Sequence, residues 1–339
     1  MAEQKINPED YSLVDRESAF NAAHQRNGSR NNHANSQQMH QSSLLTIGVV
    51  ACSIRQINGT EVSLSIDSVI IEEPLEIHLI YSDCAGKQKE RVYLVAMRTP
   101  GDDLNLVTGL LLAEGIINNA SDIVCINEHF DSDEMNQNEI HLRLSSDVVV
   151  DWALINRDTT SFSSCGVCGK SSIQSLELRD IPDLDSTEGW LSGLIIPHFS
   201  DSLRQYQSMF NQTGGVHGCA LFDAKGTLLL SCEDVGRHNA LDKLMGVLAR
   251  RPELDPQKKI VFLSGRISFE LVQKVLVSGI SVLIAVGAPS NLAINMAKRF
   301  NLTLIGFSRN GGFNVYHGAF RLNLLNDYRK SDTENQHDN

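Results

Sequence analysis

The sequence predicts an α/β protein with two ordered regions, a small α+β region followed by an α/β domain around a buried sheet. Three observations support this class. Apolar residues alternate with polar ones in EVSLSIDSVII and PLEIHLIYS, which is typical of half-buried strands. The second half alternates strand and helix patterns, as βα units do. Its strands, such as SVLIAVG, are continuously apolar, as in a sheet covered on both faces.

The first ordered region is predicted to span residues 44–160. YLVAMRT and EIHLRLS indicate two further strands, and DDLNLVTGLLLAEGII has the period of a helix with one apolar face. We expect an antiparallel sheet with this helix. Residues 1–43 are rich in Asn, Gln, His and Ser, and we predict a disordered polar tail there.

The second ordered region is predicted to span residues 173–325 and to end in a polar tail at 326–339. A short helix in DSLRQYQSMF ends at Gly214-Gly215, and VHGCALFDAKGTLLLSCE predicts a hairpin around a DAKG turn. A helix in NALDKLMGVLAR comes next, followed by strands in KIVFLSGR, SVLIAVGAP and LTLIGFSR with helices between them. Ser268 and Ser290 are predicted N-caps of those helices.

Composition excludes several functional classes. The formal net charge is −12, which argues against a general nucleic-acid binder and requires any anionic ligand to be held locally. No apolar run approaches the roughly 20 residues of a membrane span, and the N-terminus lacks a secretory pattern. The cysteines number seven and are scattered, unlike a disulfide framework, so we expect a reducing compartment, the cytoplasm.

The segment SSCGVCGK, residues 163–170, is the strongest candidate for chemistry. Cys165 and Cys168 form a CxxC pair, and the nearby charge is the cation Lys170. A positive charge and a second thiol both favour the reactive thiolate, and glycine lets a large partner approach the sulfur. The segment lies in a polar stretch, and we predict a mobile loop at 161–172.

Two other interpretations of the CxxC pair stay open on these residues. Structural zinc needs two more ligands, which His217, Cys219 and Cys232 could supply. A thioredoxin-type redox pair requires a strand before the CxxC and a helix after it, whereas the polar run NRDTTSFSS precedes Cys165. Sulfur chemistry through one nucleophilic thiol is the interpretation we favour, without a bound metal.

Three clusters follow predicted strands of the second region and are expected at one edge of the sheet. They are EDVGRHN, SGR and FSRNGG, and each holds an arginine: Arg237, Arg266 and Arg309. Glycines and helix starts beside them offer backbone N–H groups, so the edge predicts an anionic, phosphorylated ligand. The alternative is structural, with Arg237 pairing to Glu233 or Asp234 and the glycines only turning the chain. His217 and His238 fit either interpretation.

With these motifs assembled, the chain resembles the FdhD family of formate dehydrogenase accessory sulfurtransferases. The resemblance rests on SCGVCGK, TGGVHGCALF, EDVGRHNALDKLMG, SGRISFELVQK, APSNLAINMAK and GFSRNGGFNVY. It covers roughly residues 60 to 320. The combination of EDVGRHNALDK with SCGVCGK is far more specific than a CxxC alone.

The resemblance implies a sulfur carrier that acts through a cysteine persulfide. Sulfur would come from a cysteine desulfurase and pass to the molybdenum cofactor, as bis(molybdopterin guanine dinucleotide), for formate dehydrogenase. The matching persulfide position is Cys165, with Cys168 assisting. It also implies a homodimer and a cytidine-deaminase-like, three-layer α/β/α second domain. The predicted cofactor-binding residues are His217, Arg237, His238, Arg266, Phe307, Ser308, Arg309, Asn310, Gly311 and Gly312.

The sequence departs from the family at its polar tail and at Cys219, where the resemblance implies a small residue such as Ala. The extra thiol is a possible off-target sulfur acceptor. The residues argue against deamination. A zinc deaminase needs H-x-E before P-C-x-x-C, whereas here Cys219 takes the place of the Glu and the CxxC precedes the His. The remaining alternative is a cofactor-binding chaperone with structural zinc at the CxxC.

Overall fold

The structure is a computed structural model that describes residues 48–83, 85–127, 138–152 and 181–324. The two predicted polar tails and the cysteine loop at 161–172 lie outside these residues, so those predictions stay predictions. No helix in the described ranges combines the length and the apolar character needed to cross a bilayer.

The described chain begins with an antiparallel hairpin of two long strands, β1 (Val49–Asn58) and β2 (Glu61–Ile70). Residues directly opposite each other in such a ribbon share a face. Four apolar residues lie on one face and are between 65% and 83% exposed: Ile57, Val62, Leu64 and Ile66. The strand prediction for EVSLSIDSVII is confirmed, but the described residues leave this apolar face uncovered rather than half-buried.

A four-stranded sheet follows, in the order β4-β3-β6-β5. Its strands are β3 (Glu73–Ser82), β4 (Gln88–Arg98), β5 (Ile123–Asn127) and β6 (Glu139–Leu144), and helix α1 spans Asp103–Glu114. The prediction of an antiparallel sheet is wrong in one pair, because β3 and β6 run parallel. Alternation shows which face of a strand is buried but not which way its neighbour runs. The inward side chains of β3 and β6 pack with α1 in one apolar core.

The second sheet has six strands in the order β12-β11-β10-β9-β7-β8. They are β7 (His217–Phe222), β8 (Leu228–Asp234), β9 (Ile260–Leu263), β10 (Val282–Ala285), β11 (Thr303–Arg309) and β12 (Gly312–His317). Strands β9, β10 and β11 are parallel, and β7 is antiparallel to β9. The helices are α2 (Phe199–Tyr206), α3 (Ser208–Thr213), α4 (Arg237–Ala249), α5 (Phe269–Val277) and α6 (Asn291–Arg299).

This sheet is buried on both faces, as its continuously apolar strands predict. One core joins the sheet to α4, α5 and α6, and a second core joins it to α2 and to a 3-10 turn at Gly193–His198. The α/β class is therefore confirmed, as is the β7–β8 hairpin, whose turn contains Gly226 at φ +84°.

Local helix signals are confirmed in part. The Ser290 hydroxyl accepts from the Ala293 N–H at the start of α6, but Ser268 makes no such cap bond at the start of α5. The single helix predicted in DSLRQYQSMF is broken at Gln207, between α2 and α3. Gln207 is buried against Gly218, where a Cβ atom would lie within 2.4 Å of its amide nitrogen. This long-range contact is absent from the local pattern.

Helices α1 and α4 cross at two glycines and join the two halves of the described chain. A Cβ atom on Gly109 would lie 2.0 Å from the Asp242 carbonyl oxygen, and one on Gly246 would lie 1.9 Å from the Asn105 carbonyl oxygen. Only glycine fits at such distances from a neighbouring backbone. The crossing fixes the first sheet against the second.

Candidate functional site

The carboxyl ends of β8, β9, β10 and β11 and the start of β7 meet along one edge of the six-stranded sheet. We call this edge the rim and define it by His217, Arg237, His238, Arg266 and Phe307. It is the edge at which ligands bind in open α/β sheets. The structure thus brings five of the predicted cofactor-binding residues to one side of the fold.

Backbone contacts connect the rim from strand to strand. A Cβ atom on Gly265 would lie 3.4 Å from His217 Nδ1. The Gly287 N–H donates to the Gly265 carbonyl at 3.0 Å, and the Phe307 N–H donates to the Gly287 carbonyl at 3.2 Å. Arg266 is exposed and follows Gly265 directly, next to Gly287. These backbone contacts connect the ends of β9, β10 and β11 into one continuous edge.

Neighbouring positive charges act on His217 at the β7–β8 end of the rim. Burial lowers the pKa of His217, and the charges of Arg237 and His238 lower it further, so this imidazole is neutral at pH 7. The Arg237 Nε atom is buried and has no hydrogen-bond partner among the described residues. His238 Nε2 lies 2.9 Å from the Glu270 carboxylate and 3.2 Å from the hydroxyl of Ser268, which occupies the N-cap position of α5.

The acidic residues beside Arg237 are engaged elsewhere. Asp234 is fully buried, pairs with Lys243 Nζ at 2.8 Å, and accepts from the backbone N–H groups of Thr99 and Gly236. Glu233 accepts from two N–H groups at the start of α3, although burial raises its pKa. The alternative in which Arg237 pairs with either carboxylate is therefore wrong, because the oxygens of both are bonded to other groups inside the protein.

The segment at the end of β11 divides into an exposed and a buried part. Phe307 is 37% exposed at φ +55°, a backbone conformation that bulky residues rarely adopt. Asn310 and Gly311 also have positive φ and form the two-residue turn of the β11–β12 hairpin, with Arg309 opposite Gly312. These four residues of the turn are exposed. Ser308 is buried and its hydroxyl donates to the Ile196 carbonyl, so its predicted ligand contact does not fit its side chain.

The two cysteines of the β7–β8 hairpin are inert core residues. Cys219 is fully buried, donates to the Ala240 carbonyl, and has a pKa raised well above the usual value by burial. Burial also raises the pKa of Cys232 to about 12. Among the described residues, the ligand atoms of His217, Cys219 and Cys232 do not come together in one metal-binding group. The prediction of Cys219 as an off-target sulfur acceptor is wrong, because this sulfur is buried and no partner can reach it.

Lys243 and Thr99 hold the loop between β8 and α4 in place through buried contacts. Neither residue was predicted from the sequence. Lys243 is 2% exposed, and its ammonium also donates to the Thr99 carbonyl at 3.0 Å. The Thr99 hydroxyl accepts from the Val235 N–H, which holds the loop between β8 and α4. A lysine on the largely apolar helix NALDKLMGVLAR was the available signal for Lys243, whereas Thr99 lies more than a hundred residues from it in the sequence.

Comparisons with known proteins place the chain in a family. The family model described as "FdhD/NarQ family" matches residues 70–323. The chain belongs to the FdhD/NarQ family. Proteins called "Sulfur carrier protein FdhD" are 38% identical in Streptomyces avermitilis over 79% of this chain and 94% of the relative. The relative in Sulfolobus acidocaldarius is 37% identical over 76% of this chain and 92% of its own length.

A solved member of similar fold comes from Desulfotalea psychrophila and is described as a candidate formate dehydrogenase accessory protein. It matches with a TM-score of 0.61 and 25% sequence identity, over 81% of this chain and 99% of its own. The FdhD/NarQ match includes both the rim and the SSCGVCGK segment, so the family spans every motif considered above. Cys165 and Cys168 lie outside the described residues, and their roles remain predictions.

Proposed function

We propose that this chain is a sulfur carrier that supports a formate dehydrogenase. Sulfur arrives from a cysteine desulfurase as a persulfide on Cys165 and passes to the molybdenum cofactor bound at the rim. The observation that carries the proposal is family membership over 70–323, among relatives named as sulfur carriers. The acceptor, bis(molybdopterin guanine dinucleotide), is the client rather than a resident cofactor, and a homodimer would offer one rim to each of its nucleotides.

The thiol chemistry needs one reactive sulfur, and the described thiols narrow the choice. Cys219 and Cys232 are buried with raised pKa values, so neither suits a carrier, and the pair Cys165 and Cys168 is the one whose sequence places glycines and a lysine beside the sulfur. In the transfer, the Cys165 thiolate attacks the desulfurase persulfide and takes its terminal sulfur, while the desulfurase cysteine leaves as thiolate. Cys168 assists by polarising Cys165 or by resolving side products.

Mass spectrometry after incubation with a desulfurase and cysteine tests this assignment. Wild type should gain one sulfur atom on the peptide that contains Cys165, and Cys165→Ala should abolish both this gain and formate dehydrogenase maturation in cells. Cys52→Ala is the matched control, since that thiol is exposed on β1. Full maturation by Cys165→Ala would refute the persulfide assignment.

We further propose that the rim binds the guanine nucleotide end of the cofactor. The support is its chemistry: Arg237, His238 and Arg266 lie at one sheet edge of a chain with net charge −12. Asp234 and Glu233 beside them are bonded inside the protein, and the exposed carboxylate of Glu270 is paired with His238. Arginine suits pyrophosphate because its planar donors can bind two oxygens at once. Arg309 and Asn310 extend the edge at the exposed β11–β12 turn, where Asn310 could read the base.

Calorimetry with GDP tests nucleotide binding without any molybdenum. Arg309→Ala should weaken binding by about 1–3 kcal/mol if the guanidinium contacts phosphate. Lys225→Ala is the matched control, because Lys225 lies in the β7–β8 turn at the opposite edge of the sheet. Absence of GDP affinity in the intact protein would remove this assignment and leave the persulfide chemistry standing.

The rival function is a cofactor-binding chaperone with structural zinc at the CxxC. It predicts zinc that is lost in Cys165→Ser/Cys168→Ser, together with loss of folding. The described residues offer it little support, since His217, Cys219 and Cys232 do not form one group of ligand atoms. Two titratable thiols at 165 and 168, with no sulfur-bound zinc, would support the carrier.

A further inference from the structure

A cluster of two histidines and three glutamates lies on the outer face of the four-stranded sheet, away from the rim residues in sequence. The tetrapeptide Glu-Ile-His-Leu occurs twice, at 76–79 in β3 and at 139–142 in β6. The two strands are parallel and in register, with Glu76 opposite Glu139 and His78 opposite His141. Side chains alternate between the two faces of a strand. The Ile and Leu of each tetrapeptide are therefore buried in the core, and the Glu and His of each lie on the outer face.

The inner ring nitrogens of both histidines face one carboxylate from the neighbouring strand β4. His141 Nδ1 lies 2.6 Å from Glu90 Oε1, and His78 Nδ1 lies 3.4 Å from the same oxygen. The three donor atoms lie within 4.8 Å of one another. Tetrahedral zinc with bonds of about 2.0–2.1 Å separates its ligand atoms by roughly 3.3 Å, so the cluster is close to that spacing.

The outer ring nitrogens face two further carboxylates. His78 Nε2 lies 2.8 Å from Glu76 Oε1, and His141 Nε2 lies 3.7 Å from Glu139 Oε2. A carboxylate that holds the far nitrogen of a histidine is the usual support of a metal ligand, because it fixes the ring and its tautomer. The cluster therefore has the inner donors of a metal site, and His78 has the outer support, whereas the distance from His141 Nε2 to Glu139 is too long for a hydrogen bond.

The inner nitrogen of His78 is placed to accept a cation. His78 Nε2 is hydrogen-bonded to Glu76 at 2.8 Å, so the neutral ring that donates there presents a lone pair at Nδ1. That nitrogen lies 3.4 Å from Glu90 Oε1, another acceptor, and a cation between the two would bind both. The rings of His78 and His141 are stacked with centroids 4.1 Å apart, which places the second imidazole beside the same carboxylate.

We propose that His78, His141 and Glu90 bind one divalent transition metal, with zinc as the best match. Imidazole nitrogen suits zinc better than magnesium or calcium, and two histidines with one glutamate is an established zinc ligand set. The histidine side chains are 16% and 13% exposed, and Glu90 is 47% exposed, so water can take the remaining position. The site is independent of the persulfide and the rim.

Zinc calorimetry on the full chain tests the proposal, in a Cys165→Ser/Cys168→Ser background that removes thiol-bound metal. This protein should bind one zinc ion per chain, and His78→Gln/His141→Gln should weaken binding at least 100-fold. Glu76→Gln should weaken it about 10–100-fold, through the supporting contact alone. His33→Gln/His40→Gln removes two histidines of the N-terminal segment and should change nothing.

Zinc X-ray absorption provides a second measurement that does not depend on the folding of the double histidine variant. The bound ion should show nitrogen and oxygen ligands, with two imidazoles and no sulfur, and Glu90→Gln should weaken binding in a folded chain. Zinc binding that is absent from the background protein, or unchanged in the double histidine variant, would overturn the proposal.

Discussion

At the scale of single residues, the rim is built around a histidine that is kept neutral. Burial is the largest cause of the lowered pKa of His217, and the charge of Arg237 is the next. The unfolded chain binds a proton on this residue more tightly than the folded chain does. Its contribution to stability is therefore present above pH about 6.5 and is lost as the pH falls through the folded pKa.

We expect an NMR titration to place the His217 midpoint below 6.5, and Arg237→Gln to raise it because one repelling charge is removed. His317 is the internal control: its pKa is lowered by burial, Lys298 and Arg321, so the same variant should leave it unchanged. An unshifted His217 midpoint in Arg237→Gln would show that the guanidinium does not act on this imidazole.

The cysteines should differ sharply in reactivity. With iodoacetamide at pH 8, native protein should be modified at exposed Cys52, whereas Cys219 and Cys232 should react only after unfolding. Peptide mass spectrometry over time measures each rate, and denatured protein, with all seven thiols accessible, is the control. Modification of native Cys219 at the rate of Cys52 would contradict the burial described above.

At the scale of elements, the glycine crossing of α1 and α4 is the most demanding contact. Gly246→Ala places a methyl group against the Asn105 carbonyl, which no rotamer change relieves. We expect a loss of about 3 kcal/mol or more in the free energy of unfolding, the upper end for overpacking. Gly312→Ala is the control, as nothing lies within 4 Å of its added carbon. Urea unfolding curves of both variants measure the difference, and equal midpoints would refute it.

Sequence patterns predict elements well where a local period decides them. The strands of the second sheet, the β7–β8 hairpin and the Ser290 cap all follow from local chemistry. The parallel β3–β6 pair and the break at Gln207 depend on partners distant in sequence, so no local pattern reveals them. The Glu-Ile-His repeats show the same limit, since each strand is predictable but their register is not.

The candidate site was predictable to a similar extent. The rim follows from the rule that ligands bind at strand ends, which the clusters around Arg237 and Arg266 obey. The partners of Asp234 and the inward turn of Ser308 were not predictable, because both are set by packing against residues far along the chain. Chemistry at Cys165 rests on sequence and family alone.

At the scale of the whole molecule, the buried pair of Asp234 and Lys243 joins the rim to the end of β4. Lys243→Met leaves a buried carboxylate without its cation, and we expect a loss of about 3–5 kcal/mol in the free energy of unfolding. Asp234→Asn combined with Lys243→Met should recover part of that loss, because no charge stays unpaired.

The free energies of unfolding of Lys243→Met, Asp234→Asn and the double variant, measured in urea, form a double-mutant cycle. Losses that simply add would show that the two side chains do not interact. Lys259→Met is a suitable control, since the ammonium of Lys259 contacts only a nearby carbonyl at the surface.

The crossing of α1 and α4 also sets an order for folding during synthesis. Gly109 and Gly246 are 137 positions apart in the sequence, so the ribosome needs roughly 7–27 s, at about 5–20 residues per second, to make the partner of α1 after α1 itself. Over that interval the closely fitted face of α1 has no α4 to meet. The first sheet and α1 therefore cannot pack against α4 until the second half of the chain has been made. Their docking is a late step in folding that depends on a contact between residues far apart in the sequence.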